Sequence, residues 1–207
     1  MGLVFYYTPM SSASRIHWAL EELGVAYDKV KLDLQAGDQR KPEYLALNPN
    51  GKVPLLVVDG QPIFESLAIL LYLGEAFGVE KGMFPAPESR KDRIEAFKWM
   101  SWVGVTVGET VTRVLRNTSD RFPKEHQNEH AGAAAKKEVG EQLAILDKAL
   151  EGREYLVGSS FSLVDLAIAA YMPFLARLGI DFGAHKNLQG WIGRCTARPA
   201  LGRAMQG

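Results

Sequence analysis

The residue types best suited to gripping a small peptide lie together in sixteen residues, GKVPLLVVDGQPIFES, from Gly51 to Ser66. Ser66 stands just ahead of the apolar run LAILLYL, where its hydroxyl meets the free N–H groups of a helix start and the helix dipole favours an anion. Glu65 beside it offers the opposite charge to an ammonium. Val53-Pro54 opens the preceding strand, a place where Pro tolerates a cis bond at about 0.5–1 kcal/mol relative to trans. A Val53 that turns its N–H and C=O outward can pair with an extended peptide as an added strand. A small peptide with a free carboxylate fits both features. A second stretch, TPMSSASR, sets Ser11, Ser12 and Ser14 at another helix N-terminus, where a thiolate would be stabilised. Each feature also has a plain reading: Pro54 stiffens a turn, Glu65-Ser66 caps a helix, and one loop serine, Ser12 or Ser14, does the same. A serine nucleophile has no support, because there is no Gly-x-Ser-x-Gly elbow and His17 has no identifiable acidic partner.

These residues must be positioned by the elements around them. Leu55–Val58 is a β-rich run, Asp59-Gly60 is the pair favoured by tight hairpin turns, and Ile63-Phe64 begins the return strand. Upstream, Leu3–Tyr6 reads as a strand. Ser14–Leu23 reads as a helix with Ile16, Ala19, Leu20 and Leu23 on one face and Gly24 as its stop, and Ala26–Leu32 as a second strand. A strand, a helix and a strand so spaced make a right-handed parallel unit. Pro42 begins a short helix to Leu47, and Asn48-Pro49-Asn50-Gly51 turns into the hairpin. The order is βαβαββα, ending in a helix from Ser66 to Phe77.

Residues 78–88, GVEKGMFPAPE, mix Gly, Pro and charge without periodicity, as a linker does. Residues 89–207 read as all helical. Ser89-x-x-Asp92 opens a long helix with Ile94, Phe97, Val103, Val107, Val111 and Val114 or Leu115 on one face; Ala133–Leu150 follows, and Ser162-x-x-Asp165 caps the apolar Leu163–Leu178. Trp191 and Ile192 mark a further short helix.

Composition narrows the partners. The 207 residues carry 24 Lys+Arg and 24 Asp+Glu, so neither nucleic acid nor an anionic membrane is favoured and a small molecule is expected. No apolar run approaches the roughly 18 residues of a membrane span, and no signal peptide is legible, which points to a soluble cytoplasmic protein. The single cysteine, Cys195, rules out an intramolecular disulfide and a Cys-x-x-Cys centre.

In YTPMSSASR, LALNPNGKVP, FES and SLVDLA, in this order and spacing, the chain resembles the glutathione transferases over nearly its whole length. The resemblance implies a thioredoxin-like α/β domain at 1–77 that binds glutathione as co-substrate, without metal, and an all-α domain at 89–207 that supplies most of the pocket for a small hydrophobic electrophile. It implies a homodimer, with the helix from Ser89 to Leu115 at the interface, and a role in detoxification. Ser11 matches the serine that meets the glutathione sulfur in the phi and theta classes. Aligned with the bacterial beta class, whose loop carries a Cys, the matching residue is Ser12; Ser11 is preferred and Ser12 kept open. Gln39 replaces a His that helps hold the glycine end. Lys52 pairs with the glycine carboxylate, Val53 with the peptide backbone, and Glu65 and Ser66 with the γ-glutamyl end. Asp165 matches a buried capping acid that is structural. Two rivals stand beside a transferase: a glutathione-dependent disulfide reductase or peroxidase, and a noncatalytic ligand-binding protein of this fold. Met10, Trp102, Thr106 and Arg113 are candidates for contact with the second substrate from helix phase alone.

Overall fold

Alternation builds the sheet. In the computed structural model, which describes residues 2–206, Leu3–Tyr7 (β1) buries Leu3, Phe5 and Tyr7 and leaves Val4 and Tyr6 half-buried on the other face. Ser14–Leu23 (α1) stops at Gly24, whose φ of 57° is the left-handed conformation that glycine adopts most readily. Asp28–Lys31 (β2) lies parallel to β1, with Val4 opposite Asp28. The short helix Pro42–Leu45 (α2) follows. Then come Leu55–Val58 (β3), Gln61–Phe64 (β4) and Ser66–Leu73 (α3), completing the βαβαββα order that the sequence predicts. Strand order is β2-β1-β3-β4, with β3 antiparallel to both neighbours. Asp59 and Gly60 turn the β3–β4 hairpin with φ of 48° and 86°, the paired positive values of a type I′ turn. The edge strand β2 is exposed throughout and carries Lys29 and Lys31, charges that discourage pairing with another chain. Beyond α3 the coil widens over Gly74–Gly78. Gly74 is required there, because a Cβ would lie 2.7 Å from the Phe84 ring.

The remaining helices are Arg90–Ser101 (α4), Gly108–Thr118 (α5), Glu129–Ala149 (α6), Leu163–Ala169 (α7), Met172–Arg177 (α8), Lys186–Thr196 (α9) and Pro199–Gln206 (α10). Among the described residues no helix is long and apolar enough to cross a membrane. The chain forms two compact units, one of residues 2–84 with 198–206 and one of residues 85–197. The tail therefore belongs with the first unit, whereas the sequence reading carries the helical half through to 207. Ion pairs explain its place: Arg198 grips Glu22 of α1 through Nε at 2.6 Å and a second nitrogen at 2.8 Å, and Arg203 Nε meets Glu21 at 2.9 Å.

Three expectations in the second unit change. Ile94 and Phe97 do not face the core, being 66% and 41% exposed. The buried stripe runs instead through Ala96, Trp99, Met100, Val103 and Val107, and Arg93 lies over the Phe97 ring. Ser89 makes no side-chain cap on α4. The run Leu163–Leu178 is two helices, since Pro173 at the start of α8 has no N–H to continue α7. Ser162 and Asp165, by contrast, form the predicted capping box.

Candidate functional site

The loop between β1 and α1 resolves the three serines into different jobs. Ser11 is half-buried and tied to its own turn: its hydroxyl donates to Thr8 O at 2.6 Å and accepts from Ala13 N at 3.1 Å, while Ser11 O accepts from Ser14 N at 3.1 Å. Local capping thus falls to Ser11, not to Ser12 or Ser14. Ser12 is exposed, and its hydroxyl crosses to another part of the chain, donating to Val53 O at 3.1 Å. The longer bond is the easier one to exchange. No acidic side chain occupies the first turn of α1 to quench its positive end. Met10, with φ of 56° and 76% of its surface exposed, carries the chain out and back between the strand and the serines.

Opposite this loop, the Val53-Pro54 bond is cis. Val53 O takes the Ser12 hydroxyl, and the Val53 N–H has no hydrogen-bond partner among the described residues. Before it, Lys52 exposes its side chain while its carbonyl turns inward to Tyr44 Oη and Asn48 Nδ2. At the far side of the hairpin, Glu65 sits just before α3 with φ of 70°. That is a rare conformation for a residue with a Cβ, costing on the order of 1–3 kcal/mol, and such outliers concentrate at binding sites. Glu65 is exposed and Ser66 half-buried at the first residue of α3, whose opening turn holds no acid. The helix end is open to an external carboxylate.

Gln39 does not present its amide to solvent as its predicted role requires. Its Nε2 donates to Leu34 O at 3.3 Å and its Oε1 is buried without a hydrogen-bond partner. The cation found at this place is Arg40, which sequence reasoning missed. A Cβ on Gly51 would stand 2.9 Å from an Arg40 guanidinium nitrogen, so the guanidinium lies against the backbone one residue before Lys52. Gly51 also needs its φ of 58°. The signal was present in Gln39-Arg40-Lys41, three polar long side chains in a row, but nothing in their spacing ranked one above another.

The aromatic and titratable residues near the sheet are structural. Tyr7 is buried, stacked on Phe5 with centroids 5.4 Å apart, and Tyr6 packs edge-on to Tyr44. His17 is buried among Phe5, Tyr7 and Tyr27; burial and the charge of Lys29 hold it below its ordinary pKa, against Glu21 and the backbone of Ala204. In the second unit Arg113 is committed to Glu109 and Glu138, and Thr106 O accepts from Thr110. Trp102 meets Trp99 at right angles, 5.3 Å between centroids. Asp165 is fully buried and accepts from Leu156 N at 2.9 Å, Ser162 N at 3.0 Å, Ser162 Oγ at 2.8 Å and Trp191 Nε1 at 2.8 Å. Burial pushes its carboxyl above the usual range, and those bonds pull it back. Among the described residues no cluster of His, Cys, Asp or Glu could hold a metal ion.

Known proteins resemble this chain in sequence and in fold. The family model described as "Glutathione S-transferase, N-terminal domain" matches residues 1–75, and that described as "Glutathione S-transferase, C-terminal domain" matches 108–199. Glutathione S-transferase GstB of Escherichia coli is 32% identical over 193 residues, covering 92% of this chain and 91% of that protein. Disulfide-bond oxidoreductase YfcG of the same organism is 30% identical over 207 residues, covering 97% and 93%. A sphingomonad glutathione S-transferase solved in complex with glutathione superposes with a TM-score of 0.84 at 32% identity, covering 98% of this chain and 97% of that one. The chain belongs to the glutathione S-transferase family.

Proposed function

We propose that this protein binds glutathione in its first unit and activates the thiol for attack on a small hydrophobic electrophile. The observation that carries the reading is the hydrogen bond from Ser12 to Val53 O, which brings a loop hydroxyl at the α1 N-terminus onto the backbone edge where an extended peptide would pair. The cysteine backbone of glutathione runs along Val53. Its γ-glutamyl carboxylate meets Ser66 and the start of α3, and its ammonium meets Glu65. Lys52 and Arg40 face the glycine carboxylate, the role for which Gln39 is turned the wrong way. Support comes from the sphingomonad relative, whose structure contains glutathione.

On this reading Ser12 meets the sulfur and Ser11 shapes the turn. Ser11 already donates one short bond and accepts another. Ser12 has only the bond to Val53 O to exchange, and a thiolate is the stronger acceptor. A thiol of pKa near 8.5 is mostly protonated at neutral pH; lowering it by about two units is worth roughly 2.7 kcal/mol, within reach of one hydroxyl and a helix dipole. The thiolate then attacks a carbon held against it, so the gain lies in a populated nucleophile and in proximity. The protein acts as a homodimer in the cytoplasm.

A second reading, a glutathione-dependent disulfide reductase, is favoured by the relative YfcG, described as a disulfide-bond oxidoreductase. There the bound thiolate attacks a disulfide sulfur, one substrate thiolate leaves, and a second glutathione resolves the mixed disulfide. Cys195 is buried and takes no part. The test has two arms. Calorimetry should show glutathione binding, and its absence overturns both readings. A panel of aryl halides, hydroperoxides and mixed disulfides then separates them, with Ser12→Ala expected to raise the pKa of the bound thiol by one unit or more and to lower neutral-pH turnover about tenfold. An unmoved pKa sinks the serine mechanism.

A further inference from the structure

The backbone of Val53 is the least protected part of the site, because no side chain of its own fixes the direction of its peptide groups. Something else must. Lys52 O accepts two bonds, from Tyr44 Oη at 2.6 Å and from Asn48 Nδ2 at 2.7 Å. Both donors are buried, with Tyr44 3% and Asn48 1% exposed. They are themselves fixed. The Tyr44 ring packs edge-on to Tyr6 in a core cluster with Leu32 and Leu55, and Asn48 Oδ1 accepts from Asn50 N at 3.1 Å. Lys52 O and the Val53 N–H belong to one peptide plane, and that bond is trans, the only cis bond described being the next one. In a trans peptide the C=O and the N–H point in opposite directions. Pulling Lys52 O inward therefore turns the Val53 N–H outward, and that N–H has no partner among the described residues.

We infer that Tyr44 and Asn48 are positioning residues for the peptide ligand: a two-donor clamp on Lys52 O that aims the Val53 N–H at the ligand's backbone carbonyl. The inference rests on the proposed glutathione function and goes beyond it, since neither side chain touches the ligand. Two donors matter because one would let the plane rock about the hydrogen bond. With two, rotation that moves the N–H lengthens at least one short bond. The arrangement also ties binding to the core, since the tyrosine that orients the site is the same one that packs against β1.

The test uses the full chain with Tyr44→Phe, which keeps the ring and removes one donor, and Asn48→Ala, which removes the other. Glutathione affinity by calorimetry should fall about five- to tenfold in Tyr44→Phe, as expected for losing one hydrogen bond that orients another. The maximal rate with 1-chloro-2,4-dinitrobenzene at saturating glutathione, and its pH profile, should stay within about twofold, because the thiol contact is untouched. The readout that general loosening would not reproduce is the amide signal of Val53 in ¹⁵N-labelled protein. Its glutathione-induced downfield shift should shrink in Tyr44→Phe while those at the α3 start persist. A folded Tyr44→Phe variant with unchanged affinity and unchanged Val53 shift overturns the clamp and leaves the function standing. A wild-type chain that does not bind glutathione overturns both. Should Asn48→Ala fail to fold, Tyr44→Phe alone decides.

Discussion

The starts of α1 and α7 are both made of serine-bearing turns, and they have opposite characters. At α7 the chain supplies its own anion: Ser162 and Asp165 cap each other, and the carboxylate also takes N–H groups from Leu156 and Trp191, all of it out of water. At α1 the first turn has no acid, the hydroxyl of Ser11 holds only a local turn, and that of Ser12 is exposed. A helix start that carries its own buried anion is finished structure. One without an acid in its first turn, beside an exposed hydroxyl, keeps its dipole for something that arrives later. The start of α3 resembles α1 in this respect, with Glu65 strained and exposed and no acid in the turn.

The largest effect that separates the two kinds of helix start is on stability. Asp165→Ala strips a partner from Trp191 Nε1 and from two backbone N–H groups in a place no bulk water reaches, and should cost about 3–5 kcal/mol. Asp165→Asn should cost less, since its amide oxygen can still accept. Denaturant melts followed by tryptophan fluorescence measure both. If Asp165→Ala melts like wild type, α7 is not the closed start described above. Ser66→Ala should do the reverse at α3, leaving the midpoint nearly unchanged and weakening glutathione about tenfold, the roughly 1.4 kcal/mol of a hydrogen bond to a charged group. Equal affinity for wild type, Ser66→Ala and Glu65→Ala by calorimetry would remove α3 from the site.

Legibility from the sequence followed the same division. The βαβαββα half could be read because its strands are short apolar runs set off by Gly, Pro and Asp-Gly, signals that act locally. The capping box at Ser162–Asp165 was legible for that reason too. What failed was tertiary. Ile94 and Phe97 share helical spacing with the buried stripe but face outward, which periodicity within one helix cannot reveal. Arg198 and Arg203 bring the tail to α1 across more than 170 residues. The clamp on Lys52 O depends on a buried Asn that reads as turn-former in Asn48-Pro49-Asn50-Gly51. For the candidate site residues, the elements that carry them were legible but the orientation of their side chains was not. Gln39 has the right chemistry turned inward, and the division of labour between Ser11 and Ser12 is a matter of which way two hydroxyls point.

That division can be sharpened. Ser11→Ala removes the acceptor of Ala13 N and the donor to Thr8 O, and should lower stability by about 1 kcal/mol, a typical capping loss, with a smaller effect on the bound thiol than Ser12→Ala. Ser12→Ala should barely shift the melt, since Val53 O stays accessible to water or ligand. Thermal denaturation of both, set beside the thiol pKa in each, gives a crossed pattern. If Ser11→Ala moves the thiol and Ser12→Ala does not, the sulfur contact lies at Ser11 and the α1 start is closed by Ser12 instead.

The smallest expected effect lies behind the start of α1, at His17, and it carries a sign. Its ring sits on α1 facing Phe5 and Tyr7 of β1, with Tyr27 edge-on at 6.0 Å and Lys29 of β2 and Glu21 as the charges that act on it. Burial comes first among the causes that lower its pKa, so the folded protein prefers the neutral imidazole. Between the lowered folded value and the unfolded value of about 6.5, the unfolded chain binds a proton that the folded chain refuses. Stability therefore rises with pH across that window and is lost as pH falls below about 6.5. Below the folded value both states are protonated and the contribution is flat. His17→Asn, whose amide can still donate to the Ala204 backbone, should remove this slope while leaving the slope from carboxylates at lower pH. Urea melts of wild type and variant at pH 7.0, 6.0 and 5.0 measure the difference. Parallel curves would mean that His17 titrates alike in both states, and that the ring cage behind α1 admits the charged form.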